Sequence, residues 1–331
     1  THGKTTTTSM ITHIFMEAQK DPTVMSGGYL PLLHAGHRVG GGDTIIMESC
    51  EYCNSFLNFF PTTAVVLNIE ADHLDFFADL QDVERSFFKF ASLVPADGNI
   101  VANGDDENTM NTLYMLHPIT FGTREGNTIR GVNFSKNYQE FDVLYHEDFY
   151  CHMKLSLVGR HNAMNALAAT AVGFLYGIEP DLICRALAGF TGAGRRMELK
   201  GRYHGADVYD DYAHHPGELK ALFAAAKTMG YRRILCAFQP HTYSRTNALF
   251  SDFVEALKRV DQAIVAEIYA AREQNTIGIS SKDLVAQIPG AVYCETLPDV
   301  TDYLKSVCQE GDLVLTVGAG DIYKAGEALF K

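Results

Sequence analysis

Thr1-His2-Gly3-Lys4-Thr5-Thr6 opens the chain, and its reading decides how the rest is understood. His2-Gly3-Lys4-Thr5 matches the end of the phosphate-binding pattern G-x-x-x-x-G-K-[ST]. In that pattern a glycine lets the backbone approach the phosphates, and N–H groups at a helix N-terminus cradle their charge. Lys4 would reach the β- and γ-phosphates, and the Thr5 hydroxyl would ligate Mg²⁺. The competing reading is a chance G-K-T run opening an ordinary helix. The chain starts inside the motif, without its first glycine and without a Met, so an upstream segment is expected.

Working outward, residues 5–18 read as the helix that follows the loop. Short apolar runs at 44–47 and 64–69 then alternate with helical patterns. The stretch 80–93 places Val83, Phe87, Phe90 and Ala91 on one helical face. Such β/α alternation predicts a mostly parallel sheet with helices on both faces. Over 119–158 the pattern shifts to short alternating stretches with Gly and Asn turns, including 142–145 and 152–157, which predicts a small antiparallel insertion. Helices are expected at 162–176 and 180–188. Thr191-Gly192-Ala193-Gly194 is the linker candidate. Beyond it, strands are predicted at 206–209, 233–238, 262–266, 291–294 and 313–317. Helices are predicted at 217–229, 244–258, 282–287, 300–308 and 322–330. Two α/β domains are therefore expected, 1–194 and 195–331.

Composition narrows the function. The 331 residues are 47% hydrophobic and 20% charged, the balance of a soluble globular protein. There is no apolar run long enough to span a membrane and no continuous apolar region of signal-peptide type. A formal charge of −13 argues against a nucleic-acid surface, which needs clustered Lys and Arg. Seven scattered cysteines fit reduced thiols in the cytosol, and Cys50-Glu51-Tyr52-Cys53 lacks the second pair of a zinc site.

Several segments carry chemistry. Ile45-Ile46-Met47-Glu48 is an apolar strand ending in a carboxylate, where a magnesium site beside a phosphate loop takes its acid. Val65-Val66-Leu67-Asn68-Ile69 runs into Glu70, Asp72, His73 and Asp75, at the strand end where open α/β sheets place ligands. Asn162 and Asn165 share a helix face near its start. They suit either an adenine edge or simple capping. In the second half, Asp210-Asp211-Tyr212-Ala213-His214-His215-Pro216 again ends a strand with acids and histidines. So does Phe238-Gln239-Pro240-His241-Thr242-Tyr243-Ser244-Arg245, whose Arg245 is a carboxylate clamp candidate. Gly318-Ala319-Gly320 reads equally as tight strand-to-helix packing.

In this order the motifs resemble the Mur ligases, ATP-dependent amide-forming enzymes of peptidoglycan precursor synthesis, over the whole chain. Asp210–Pro216 narrows the resemblance to the alanine-adding branch and its tripeptide-recycling relative, and Phe238–Arg245 and Gly318–Lys324 resemble the alanine-adding branch. The resemblance implies a P-loop mononucleotide-binding central domain and a Rossmann-like α/β C-terminal domain. Its substrates would be ATP, UDP-N-acetylmuramate and L-alanine, with two Mg²⁺ ions. His2, Gly3, Lys4, Thr5 and Thr6 would bind ATP. Thr5 and Glu48 would hold one metal and His73 the second. Asn162 and Asn165 match positions near the adenine, and Arg196 and Asp211 match positions that reach the nucleotide. His214, His241 and Arg245 match positions around the muramoyl and alanine groups, with Lys4, His73 and Arg245 in catalytic roles. Thr242 stands where some alanine-adding relatives carry Arg, so alanine's carboxylate would rest mainly on Arg245. The family's UDP-binding domain is missing from these residues.

The implied reaction activates a carboxylate as an acyl phosphate, which the alanine amine then attacks. The site is expected between the two domains, with Gly192 and Gly194 as hinge. A cytoplasmic monomer or homodimer is expected, with no nucleic-acid partner and no membrane insertion. Three other readings stay open. They are a tripeptide-recycling or other Mur-type ligase, a P-loop NTPase without an amine substrate, and an inactive ATP-binding fragment.

Overall fold

Gly3 adopts a left-handed backbone (φ 83°, ψ −1°) and turns the chain directly into α1 (Lys4–Glu17). In the computed structural model, residues 1–73 and 76–331 are described. They divide into two compact units, Thr1–Gly194 and Arg195–Lys331.

In the first unit α1 is followed by β1 (Thr23–Leu30), β2 (Ala35–Arg38), β3 (Ile45–Met47) and β4 (Thr63–Val66). Next come α2 (Leu80–Ala91), β5 (Asn99–Asn103), α3 (Glu107–Leu113), β6 (Ile119–Gly122) and β7 (Ile129–Val132). The unit closes with β8 (Glu140–Tyr145), β9 (Asp148–Lys154), α4 (Arg160–Leu175) and α5 (Pro180–Ala188). Strands β4 to β9 form one six-stranded sheet in sequence order. It is parallel from β4 to β7 and antiparallel across β7–β8–β9. The small antiparallel portion expected within 119–158 is present, confined to the later part of that stretch. β6 and β7 continue the parallel sheet, and only β8 and β9 reverse. Period-two alternation reports a half-buried face, not the direction of the neighbouring strand.

A second sheet, ordered β2-β1-β3, contains two strands that the apolar pattern misses. β1 reads Thr-Val-Met-Ser-Gly-Gly-Tyr-Leu, and its central glycines remove the propensity signal. An apolar cleft of about 390 Å³ lies between β3 and β4, with Phe60, Phe87, Phe90 and Tyr176 in its walls. Helix α2 behaves as read. Asp79 caps it by accepting from Asp82 N at 2.8 Å, and Val83, Phe87, Phe90 and Ala91 are buried. Helices α1 and α4 pack together in the core. α4 is buried almost all round, which its alanine-rich sequence permits.

The second unit holds β10 (Glu198–Tyr203), β11 (Ala206–Asp211), α6 (Pro216–Lys227), β12 (Arg233–Phe238), α7 (Tyr243–Ala248) and α8 (Phe250–Leu257). Then follow β13 (Gln262–Ala266), α9 (Ser281–Val285), β14 (Val292–Cys294), α10 (Leu297–Val307), β15 (Asp312–Val317) and α11 (Tyr323–Glu327). The sheet order is β10-β11-β15-β12-β13-β14, parallel except for the edge strand β10. The last strand, β15, is buried along its whole length between β11 and β12. That reversal of strand order makes the C-terminal ends of β11, β15 and β12 the natural ligand-binding rim.

Two helix readings change. The stretch 244–258 is two helices broken at Leu249 (φ −112°, ψ 23°). The helix read at 300–308 begins at Leu297, where Thr296 and Asp299 form a capping box. The start is marked by the cap residues and by Pro298 in the first turn.

Candidate active site

The phosphate loop is held by the segment that follows β4. Asn68 Oδ1 accepts from His2 N at 2.7 Å, and Asn68 Nδ2 donates to His2 O at 3.1 Å. Gly3 has no room for a side chain, because a Cβ there would lie 2.6 Å from Asn165 Oδ1. This places Asn165 against the loop. Its neighbour on the helix face, Asn162, donates from Nδ2 to Val158 O at 2.8 Å and holds the turn that enters α4. Both asparagines are buried, as is Thr6.

Thr5 Oγ1 donates to Glu48 Oε1 at 2.9 Å. The other oxygen of Glu48 accepts from Gly27 N at 2.7 Å and Ser26 Oγ at 3.3 Å. The Gly27-Gly28 pair has a reason here. A Cβ at Gly27 would meet Glu48 Oε1 at 2.8 Å, and one at Gly28 would meet Thr5 Cγ2 at 2.9 Å. The glycines that hide β1 from the sequence reading are the ones that let this carboxylate reach the start of α1.

Lys4 Nζ is engaged by Glu51, 3.0 Å from Oε2 and 3.2 Å from Oε1, and it also donates to Thr1 O. Burial works against the lysine charge, but the Glu51 carboxylate outweighs it and holds the ammonium above its ordinary pKa. Glu51 is 2% exposed. Burial pushes its carboxyl up, yet neighbouring cations, Lys4 among them, keep it below the usual range. His73, with a left-handed backbone (φ 54°), brings Nε2 to 3.9 Å from Glu51 Oε1 and 3.8 Å from Asp72 Oδ2. Ligand atoms of Glu51, Asp72 and His73 lie within 4.8 Å of one another. A hydroxyl and a carboxylate in contact, beside a second acid pair with imidazole, are oxygen-rich donor sets that suit a hard divalent cation. Glu70 instead faces His2, at 3.5 Å, and Lys89 is exposed on α2. Asp75, the third acid of the cluster, lies outside the described residues.

In the second unit the strand ends gather the other candidates. Asp211, at the end of β11, accepts from Met197 N and Ala213 N, both at 2.8 Å. Burial, opposed by the Arg196 charge, pushes its pKa up to about 6. Arg196 reaches Glu218 at 3.5 Å and lies over the Tyr212 ring. His214 donates from Nδ1 to Tyr212 O at 3.0 Å, and its ring centroid is 6.0 Å from that of His241. His241 stacks on Tyr269, and its Nδ1 lies 3.4 Å from Arg245 Nη1. Burial and then the Arg245 charge lower its pKa to about 4, so the ring is neutral at neutral pH.

Sequence reasoning passed over four residues that organise these groups. Glu51 sits three positions after Glu48, inside the C-x-x-C that drew attention to its cysteines instead. Arg195, adjacent to Arg196, bonds Asp210 (2.8 Å), Gly318 O (2.6 Å) and Gly320 O (3.0 Å), pinning the Gly-rich turn. Gln239 Oε1 accepts from Asp321 N at 2.9 Å and Ile322 N at 3.1 Å. Here Gly320 is required, because a Cβ would lie 2.3 Å from Gln239 Oε1. Glu273 accepts from Ser244. Among these, only the acid spacing of Glu51 was a readable signal.

Known proteins resemble this chain in sequence and in fold. A family model described as the Mur ligase middle domain matches residues 1–173. One described as Mur ligase, glutamate ligase domain, matches 195–320. UDP-N-acetylmuramate–L-alanine ligase of Caldanaerobacter subterraneus subsp. tengcongensis is 45% identical, over 98% of this chain and 73% of that protein. The solved UDP-N-acetylmuramate–alanine ligase of Thermotoga maritima superposes with a TM-score of 0.84 at 28% identity, covering 100% of this chain and 73% of that one. A murein peptide ligase of Psychrobacter arcticus shares the fold, with a TM-score of 0.74 at 22% identity and coverage of 100% and 75%.

Proposed function

The chain belongs to the Mur ligase family, and from that membership we propose how its own residues carry the family's chemistry. It is an ATP-dependent amide-forming ligase that joins L-alanine to UDP-N-acetylmuramate in peptidoglycan synthesis. The observation that carries this reading is likeness along nearly the whole chain to relatives with that activity, together with a phosphate loop already paired to its acid, Thr5 on Glu48.

A carboxylate resists amines at neutral pH, because its leaving group would be oxide. Transfer of the γ-phosphoryl group of ATP to the muramate carboxylate gives an acyl phosphate. The alanine amine then forms the C–N bond as the C–O bond to phosphate breaks. The protein's contribution is positioning and charge stabilisation. We assign the phosphates to the N–H groups of Gly3, Lys4, Thr5 and Thr6, with His2 N held by Asn68 and Lys4 Nζ leaving Glu51 for the transferring group. Asn165 braces Gly3, and with Asn162 it forms the adenine side of the site. Arg196, braced by Glu218, and Asp211 complete the nucleotide contacts. His214 and neutral His241 face the muramoyl group, and Arg245 clamps the alanine carboxylate.

Thr5 and Glu48 would hold one Mg²⁺, and His73 with Glu51 and Asp72 the other. Such ions supply charge neutralisation at the phosphoryl oxygens. Among the described residues no helix is long and apolar enough to cross a membrane, and we place the enzyme in the cytoplasm, where ATP is available.

Phosphate release in the presence of ATP–Mg²⁺ tests the assignment. With UDP-N-acetylmuramate as acceptor, L-alanine should stimulate release. With L-alanine left out and a murein tripeptide supplied in its place, release should stay at background. Equal stimulation by both would move the chain to the tripeptide-recycling branch.

A further inference from the structure

Helix α7 begins without help from its own N-cap. Thr242 has φ 66° and ψ 145°, and its side chain caps none of the first-turn N–H groups. A β-branched residue at positive φ is a backbone outlier. The N–H groups of a first helical turn have no intrahelical partner and must find one elsewhere. Here the partner comes from the loop after β13. Glu273 Oε2 accepts from Ser244 N at 3.0 Å, and Oε1 accepts from Ser244 Oγ.

The two loops are stitched together around that carboxylate. Thr242 N donates to Tyr269 O at 2.9 Å, and Tyr269 N donates to Pro240 O at 2.8 Å, so His241 and Tyr269 form a short parallel bridge. Glu273 N donates to Ala270 O at 2.9 Å, closing a turn through Ala271 at φ 50°. Arg245 follows Ser244 directly and lies beside His241. Whatever fixes Ser244 therefore fixes the direction in which Arg245 leaves the helix.

We propose that Glu273 is a positioning residue of the amino-acid subsite, clamping the first turn of α7 so that Arg245 is presented to the carboxylate of alanine. This rests on the assignment of Arg245 given above. Glu273 is half-buried in a loop and is not part of the sheet core, so the fold does not depend on it. Its charge also faces His241 and opposes the effects of burial and Arg245 there.

Steady-state kinetics on Glu273→Ala, Glu273→Gln and Ser244→Ala test this. In Glu273→Ala the KM for alanine should rise about tenfold, the size of a lost helix cap. The kcat and the KM values for ATP and UDP-N-acetylmuramate should change by less than about twofold. Glu273→Gln keeps an oxygen for Ser244 N and should recover most of the loss. A direct contact between the carboxylate and the alanine ammonium would not be rescued in that way. Ser244→Ala, which loses only the hydroxyl bond, should show the mildest effect. An unchanged alanine KM in Glu273→Ala overturns the proposal. So does a parallel rise of all three KM values with a lowered Tm, and so does Glu273→Gln as impaired as Glu273→Ala. A wild-type protein without alanine-dependent phosphate release sinks the functional reading itself, and this proposal with it. Normal wild-type turnover with an unaffected Glu273→Ala removes this proposal alone.

Discussion

Lys4→Ala will abolish alanine-dependent phosphate release, lowering kcat/KM by at least about 10³-fold, as loss of a cation on a transferring phosphoryl group does. Two effects of the substitution have to be separated. The first is chemical, because the only side-chain ammonium of the loop no longer meets the γ-phosphate. The second is structural, because Glu51, 2% exposed, would keep a buried carboxylate without its nearest side-chain cation. Breaking one half of a buried pair destabilises by roughly 3–5 kcal/mol. Exposure of the lysine side chain (27%) reduces that here. The double variant Lys4→Ala, Glu51→Gln distinguishes the two, since a neutral amide at 51 no longer needs the lysine. Because Glu51 also stands in the proposed metal set, the reference is Glu51→Gln alone. The double variant's Tm should return toward wild type while its turnover stays far below that of the single Glu51→Gln. Recovery of turnover along with Tm would mean that Lys4 acts only as a strut.

Glu48→Gln should have the next largest effect, on the order of 100-fold in activity at low Mg²⁺, partly recovered at high Mg²⁺. The Glu48 carboxylate touches Thr5 Oγ1 and two donors of β1, Gly27 N and Ser26 Oγ. The amide has the same shape and keeps one acceptor oxygen, so the fold should tolerate it. It also turns an anionic metal ligand into a neutral one and points an N–H₂ group at a donor. The diagnostic is a rightward shift of the Mg²⁺ dependence with an unchanged Tm. Activity profiles against Mg²⁺ for wild type and variant measure it, and coincident curves would remove Glu48 from the metal site.

Much of the fold and the family was legible because each signal is local. G-K-T opens a helix, apolar runs mark the buried parallel strands, and α2 shows its apolar face at helical spacing. The Mur ligase motifs are contiguous, so their order alone identified the family. What the sequence hid is non-local or conformational. β1 lacks strand propensity because Gly27 and Gly28 make room for Glu48 and Thr5. Nothing in the adjacent pair Arg195-Arg196 says which guanidinium will be committed to Asp210 and the Gly-rich turn. Glu51 meets Lys4 across 47 positions, and Glu273 meets Ser244 across 29. Neither pairing has any period to betray it. The break at Leu249 falls within a stretch that reads as one continuous helix.

The central claim is that Lys4 and its loop serve acyl-phosphate formation rather than simple hydrolysis of ATP. The most direct measurement uses UDP-N-acetylmuramate labelled with ¹⁸O in its carboxylate, followed by mass analysis of the phosphate released during alanine ligation. If the carboxylate attacks the γ-phosphorus and its oxygen departs when the amine adds, each phosphate should carry one labelled oxygen. Phosphate free of label, released at the same rate, would contradict the account.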